Sequence, residues 1–403
     1  MSLREDLLKR RLPTGLPPRA PSGPVTKRSA KDYTPVPWSQ YFESQDDVCV
    51  PECKATFRVY KSGFNDPEYA NAPLLMLLHG GGYSGLSWSM FVQSLLELVH
   101  VKVVAVDMRG HGSTHTENDA DLSAETLSQD VGLIYQYISS GLESRVILMG
   151  HSVGGAIAVR SSFLSEYFGS ALSGLIVIDV VEGTALDALQ GMQSFLRGRP
   201  KDFPSLENAI EWSVRSGQTK NVDSARISMP SQLMPKRTSL HSNQDTRPIP
   251  SFSDAIREEE EDDDEANGEQ ENGSSEVSKG SAKMEKQPES ESDGTRYEFR
   301  VDLSSTEVYW RGWFEGLSQQ FLDSPSPAKM LLLAGIDTLD RALTIGQMQG
   351  KFQMEVLPEC GHAVHEDVPD KVAEVVATFL IRNQLTIARQ GTEFLIRPSF
   401  PGC

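Results

Sequence analysis

Ser152 is framed by glycines in Gly150-His151-Ser152-Val153-Gly154, directly after the apolar run Arg145-Val146-Ile147-Leu148-Met149 and directly before Gly155-Ala156-Ile157-Ala158-Val159. A strand, a glycine-flanked serine and a helix, in that order, describe a nucleophile elbow: a sharp, strained turn that pushes Oγ clear of the backbone. The glycines are steric, because strand and helix nearly touch on either side of the serine and a larger residue does not fit. The chemistry of such a serine is attack on an acyl carbon, which also needs a base, an orienting acid and donors for the oxyanion. The five residues alone also describe a serine that caps a buried helix, so the partners must be sought.

About seventy residues upstream, Leu74-Leu75-Met76-Leu77-Leu78 runs into His79-Gly80-Gly81-Gly82, a buried strand ending in a glycine loop. Such a loop lets backbone N–H groups approach a developing oxyanion with no Cβ in the way. The expected donors are the N–H of Val153, which follows the nucleophile, and that of Gly81 or Gly82. A phosphate cradle is the other use of a glycine run, but no Lys-Ser or Lys-Thr follows and the spacing fits no dinucleotide fingerprint.

The chain has eight histidines. In hydrolases of this kind the order is Ser, acid, His, which leaves His241, His362 and His365 as bases. His241 lies in a polar tract with no strand beside it. His362 follows the strand-like run Phe352 to Leu357 and a Pro-Glu-Cys-Gly turn, and is the preferred base. His365, three residues on at the start of a helix expected over Pro369–Ile381, reads as a loop or capping residue and as the alternative base.

Two strands between Ser152 and His362 end in aspartate: Leu175 to Asp179, and Met330 to Asp337. Either carboxylate can hold the imidazole tautomer and stabilise the imidazolium. Strand count favours Asp337, and Asp179 lies one strand earlier.

The elements that must position these groups alternate. Strands over Thr56–Tyr60, Leu74–Leu78, Val101–Asp107, Arg145–Met149, Leu175–Asp179 and Met330–Asp337, with helices such as Ser89–Val99 between them, predict an α/β fold: a mostly parallel central sheet with helices on both faces. Arg109, in the turn Asp107-Met108-Arg109-Gly110-His111-Gly112, reads as structural. After Asp179 the alternation stops. Helical spacing over Ala185–Leu196 and Leu206–Ser216, and the cluster Trp310-Arg311-Gly312-Trp313-Phe314, predict a helical cap, with the aromatics in its core. The expected organisation is an arm over 1–35, core over 36–184, cap over 185–328, core over 329–385 and a tail over 386–403.

The net charge of −18 is not evenly spread. Residues 254–293 hold sixteen Asp/Glu against four Lys/Arg, a net of −12, so the remainder carries −6. A loop of about 235–295 is therefore expected to be disordered. No apolar run approaches the roughly 18 residues a transmembrane helix needs, and Met1-Ser2-Leu3-Arg4-Glu5-Asp6 lacks the apolar core of a signal peptide. The expectation is a soluble monomer in the cytoplasm, with room for a nuclear pool as well, and no nucleic-acid or membrane partner. Four cysteines are too few for a disulfide scaffold, and Cys49 and Cys53 lack the further ligands of a zinc site, so free thiols are expected. The serine chemistry itself needs no metal or organic cofactor, and none is expected. Ser228, in Arg226-Ile227-Ser228, is a candidate phosphorylation site.

Longer runs carry a resemblance. The elbow with its helix, Ile178-Asp179-Val180-Val181-Glu182-Gly183-Thr184-Ala185, the stretch Leu343 to Met354, Cys360-Gly361-His362-Ala363-Val364-His365-Glu366-Asp367 and Pro37 to Ser44 closely resemble the protein phosphatase methylesterases, which are α/β-hydrolases. The likeness spans most of 32–385 except the acidic tract. It implies hydrolysis of the methyl ester on the carboxy-terminal leucine of the type 2A protein phosphatase catalytic subunit, which would be both substrate and binding partner. It also implies a triad of Ser152, Asp179 and His362, and a site rearranged when the phosphatase docks. The competing functions are a general carboxylesterase or thioesterase and a non-catalytic phosphatase binder.

Overall fold

The apolar runs become the middle of one sheet, in a computed structural model that describes residues 31–65, 67–140, 144–236, 295–335 and 339–392. The first strands are β1 (Ser44–Val50), β2 (Ala55–Ser62), β3 (Leu74–Leu78), β4 (Lys102–Val106), β5 (Val146–His151) and β6 (Leu172–Ile178). A separate ribbon pairs β7 (Leu233–Pro235) with β8 (Tyr297–Phe299), and β9 (Lys329–Leu333) and β10 (Gln353–Val356) complete the main sheet. Its order is β1-β2-β4-β3-β5-β6-β9-β10. The pairs β1·β2 and β2·β4 are antiparallel; the rest are parallel.

Central parallel strands are covered on both faces, so they read as near-continuous apolar runs rather than as an alternation. In β5, Val146 and Leu148 join one core cluster, and Ile147 and Met149 join the other, as alternating Cβ directions require. The first cluster is closed by α1's opposite neighbours: α1 (Ser89–Leu98) sits in the second cluster, while α2 (Ala124–Ile138) and α3 (Val153–Ser161) sit in the first. The strand-rich reading missed β1 and α2, in which polar and acidic residues interrupt the apolar ones and weaken the pattern.

The insertion begins at α4 (Glu182–Arg197), three residues earlier than the expected boundary, and continues through α5 (Leu206–Ser216) and α6 (Val222–Ser231) to the ribbon. It has a small core of its own around Phe203, Ile210, Met229 and Leu233. α7 (Glu307–Phe314) and α8 (Leu317–Asp323) instead pack into the main core: Trp310, Trp313 and Phe314 are buried there, and Trp313 Nε1 donates to the Leu122 carbonyl at 2.7 Å. α9 (Arg341–Met348), α10 (Val364–Asp367) and α11 (Pro369–Arg382) follow.

The acidic tract and Asp337 lie outside the described residues, as do residues 1–30 and 393–403. Two described stretches differ from the expected arm and tail. Arg226 on α6 donates to the Thr34 carbonyl at 2.7 Å and pairs with Asp32, and Val36 donates to the Arg226 carbonyl, so residues 32–36 are strapped to the cap. At the other end, Arg389 N–H donates to the Leu98 carbonyl and His100 N–H to that of Ile387, which seats residues 386–392 beside the end of α1. Among the described residues no helix is long and apolar enough to cross a membrane.

Candidate active site

Ser152 stands between β5 and α3 with φ +53 and ψ −122, a conformation that L-residues rarely adopt. Its N–H donates to the Ile178 carbonyl at 2.9 Å, which fixes the turn. The glycines are obligatory for the reason expected. A Cβ on Gly150 would sit 2.1 Å from the Gly154 carbonyl oxygen, and one on Gly154 would sit 2.3 Å from that of Leu78. No rearrangement of a flexible side chain relieves a clash with backbone, so the close approach that exposes Oγ requires glycine at both positions.

His362 reaches Ser152 from the loop after β10. Its Nε2 lies 3.0 Å from Ser152 Oγ, and its Nδ1 lies 2.7 Å from Asp179 Oδ2. The carboxylate accepts Nδ1–H, which leaves Nε2 as the acceptor facing the serine hydroxyl. Asp179 is itself held at φ +49, its N–H donates to the Leu332 carbonyl, and its Oδ1 accepts the Ala334 N–H at 2.8 Å. Burial pushes the Asp179 carboxyl up, but the bond to His362 and the Ala334 N–H outweigh it and hold the group below its ordinary value. Strand count points to Asp337, which lies outside the described residues; among the described ones, Ala334 just after β9 supplies an amide that aims Asp179.

A second histidine, His151, holds the loop that carries His362. His151 is fully buried and its Nε2–H donates to the His362 carbonyl at 2.8 Å. Desolvation, with His365 and His362 nearby, drives its pKa well below the ordinary value, so the ring is neutral. A Cβ on Gly80 would meet this ring at 2.9 Å, which accounts for glycine there.

His365 does not face Ser152, nor does it cap a helix. It is wholly buried, with its ring 4.1 Å from that of Trp88 and 4.6 Å from that of His151, and burial pushes its pKa to about 3. Neither ring nitrogen has a hydrogen-bond partner among the described residues, so the fold brings His362 and not His365 to the serine hydroxyl.

Of the two glycine donors, only Gly81 is free for an oxyanion. The Gly82 N–H is spent on His111 Nε2 at 2.9 Å, and His111 Nδ1–H donates in turn to the Arg109 carbonyl at 2.8 Å. The Gly81 N–H meets no acceptor among the described residues, and Gly81 lines the cavity beside Ser152. The Val153 N–H opens α3, where no intrahelical acceptor exists. Arg109 is structural, as expected: its fork is taken by Asp130 at 2.7 Å through both Nε and Nη2.

The serine opens into a cavity of about 330 Å³ under the insertion. Leu189, Met192 and Phe195 on α4, Trp212 on α5, and Trp310 and Trp313 on α7 line it. The aromatic cluster is thus both packing and pocket wall. α4 has no buried residue, and Phe195 is 63% exposed, so its helically spaced apolar face was a legible sign of a lining rather than a core helix. Arg199 also lines the cavity, and nothing in the sequence marked it. One other expectation changes: Ser228 is buried on α6, out of reach of a kinase in the folded chain. Cys360 beside the His362 loop is a packed thiol whose Sγ–H donates to the Leu357 carbonyl at 2.7 Å and whose pKa burial pushes up to about 11.

The alpha/beta hydrolase family model matches residues 75–375. The chain is 52% identical to protein phosphatase methylesterase 1 of Mus musculus over 94% of this chain and 92% of that protein. It is 40% identical to the probable protein phosphatase methylesterase 1 of Caenorhabditis elegans, over 95% of this chain and 86% of that one. Among solved structures, E-2-(acetamidomethylene)succinate hydrolase superposes with a TM-score of 0.56 at 16% identity, covering 84% of this chain and 99% of its own, a likeness of fold.

Proposed function

Because the chain belongs to the α/β-hydrolases and, within them, to the protein phosphatase methylesterases, we propose that it removes the methyl ester from the carboxy-terminal leucine of the type 2A protein phosphatase catalytic subunit. The observation that carries the chemistry is the chain of hydrogen bonds from Ser152 Oγ through His362 to Asp179, at the floor of an apolar cavity.

The steps follow from those contacts. His362 Nε2 takes the hydroxyl proton as Ser152 Oγ attacks the ester carbonyl, and Asp179 stabilises the imidazolium. The oxyanion of the tetrahedral adduct is held by the N–H groups of Val153 and Gly81. Collapse breaks the bond to the methoxy oxygen, which takes the proton from His362 and leaves as methanol. Water then repeats the sequence on the acyl-enzyme: His362 takes its proton, hydroxide adds, and the serine leaves with that proton, releasing the leucine carboxylate. The apolar wall suits a leucine side chain and a methyl group and strengthens the electrostatic contacts by excluding water.

Methanol release from carboxymethylated phosphatase catalytic subunit tests the proposal, with a methyl-esterified tail peptide beside it. Rapid release from the folded substrate, reduced at least about a thousandfold by Ser152→Ala, is expected. Equal turnover of peptide and protein would point to a general esterase, and no turnover by the wild type would leave a phosphatase-binding protein.

A further inference from the structure

Among the described residues Arg199 is a cation with no anion. Ion-paired arginines elsewhere in the chain show what is missing: Arg109 pairs with Asp130, Arg58 with Asp47, Arg226 with Asp32, and Arg296 with Asp202. Arg199 meets no carboxylate among the described residues, and its Nε is buried without a hydrogen-bond partner. Burial draws the guanidinium below the ordinary arginine value, opposed only by the nearby Tyr83. An incompletely solvated, unpaired charge is costly to hold in a fold.

The way it is held leaves its donors available. The guanidinium carbon lies 3.7 Å from the centre of the Phe299 ring and 5.9 Å from that of Trp212, so Phe299 covers one face of the group. Stacking uses the flat face of a guanidinium and leaves the N–H donors around its edge, the geometry that grips a carboxylate with two parallel hydrogen bonds. Arg199 lines the same cavity as Ser152, and Tyr83 lines it beside them.

We propose that Arg199 is a carboxylate-binding subsite of the cavity in which Ser152 acts; this rests on the esterase reading above. The carboxylate has two sources of one chemistry. It is either an acidic side chain on the residues preceding the esterified leucine, which would make Arg199 a determinant of sequence preference, or the leucine carboxylate formed on hydrolysis, which would make it a product-binding group. A neutral ester carries no charge for Arg199 to grip, so the subsite distinguishes peptides by their charge and not by their ester.

The test is binding to the full chain carrying Ser152→Ala, where no turnover intervenes. The signal is the fluorescence of Trp212, Trp310 and Trp313, all in the cavity wall. The probes are acetylated peptides of one sequence: leucine methyl ester preceded by Asn, the same ester with Asp at each of the three preceding positions, and the Asn peptide with a free leucine carboxylate. At least one carboxylate-bearing peptide is expected to bind about tenfold tighter or more than the neutral ester, as a charge-assisted hydrogen bond implies. Tightening by an Asp peptide identifies the side chain as the source, and tightening by the free acid identifies the product. Adding Arg199→Gln should bring the affinities together, and Arg199→Lys should restore part of the difference, with thermal melts checking that both variants fold. Equal affinities, binding too weak to register for every peptide, or a preference that survives Arg199→Gln overturns the subsite. Methanol release by the wild type from the same esters is read separately: preference without turnover sinks the esterase reading alone, and turnover without preference sinks the subsite alone.

Discussion

Gly82 gives its backbone N–H to His111 Nε2 at 2.9 Å, so the glycine loop over the nucleophile is tied to the turn that follows β4. The bond works only while His111 is neutral at Nε2, and burial keeps it so by lowering its pKa to about 4. It removes Gly82 from the set of oxyanion donors and in exchange fixes the orientation of the Gly81 amide next to it.

His111→Ala should therefore act on rate through a residue that touches no reacting atom. The unpaired Gly82 N–H costs about 1–3 kcal/mol of stability. Loosening of the Gly81 amide should lower kcat about tenfold or more, approaching the roughly hundredfold loss of a deleted donor. Steady-state kinetics beside urea unfolding would check it; a stability loss with kcat intact would confine His111 to structure. The pH dependence has a definite sign. With its folded pKa depressed below 6.5, His111 contributes stability that is present above pH 6.5 and is lost as pH falls toward 4.

Asp179→Asn should drop kcat by about 10⁴, because an amide cannot enforce the tautomer that leaves His362 Nε2 as acceptor. The Ala334 N–H can still bond the amide oxygen, so the fold should persist. Asp337→Asn should keep the wild-type kcat, since His362 Nδ1 is already held by Asp179. Methanol release by the two variants, measured side by side, separates the acids: an inactive Asp337→Asn beside an active Asp179→Asn would reverse the assignment.

Glu366 predicts a pH effect of the opposite sign. It is fully buried, its Oε2 accepts the Thr219 hydroxyl at 2.7 Å, and desolvation raises its pKa to about 7. A carboxyl whose folded pKa is raised favours the fold while protonated: that contribution is complete below about pH 4.5 and is lost as pH rises through 7. Glu366→Gln, which has no proton to lose, should gain stability relative to wild type between pH 5 and pH 8, on the order of 2–3 kcal/mol. Urea midpoints at the two pH values give the difference, and parallel pH profiles for the two proteins would refute it.

What could be read in the sequence was whatever leaves a local pattern. Continuous apolar runs announced β3, β5, β6 and β9 because strands buried on both faces have no polar side, and the glycines around Ser152 announced a backbone contact that admits no Cβ. Strand count and local pattern did not separate Asp179 from Asp337, and only the resemblance carried by the run Ile178 to Ala185 pointed to Asp179. The choice depends on which strand end meets the His362 loop, and β6 and β9 are neighbours that differ there by the amide of Ala334. The burial of His365 and the spending of Gly82 on His111 are likewise long-range facts. One histidine three residues from another looks equally able to serve, until Trp88 and His151 are found packed on either side of it. Arg199 was invisible because a missing partner is a property of three dimensions.

The β7–β8 ribbon has a consequence for how this molecule tolerates change. The acidic tract departs after Lys236 and returns by Arg296, and there the Lys236 N–H donates to the Arg296 carbonyl at 2.8 Å while both side chains pair with Asp202. The hydrolase thus receives the ends of that passage already joined, as a socket receives a plug. Closing a longer span between fixed ends costs only about 0.6 kcal/mol for each doubling of length. A change in the length of what is inserted between Lys236 and Arg296 is therefore expected to cost the fold beneath it little.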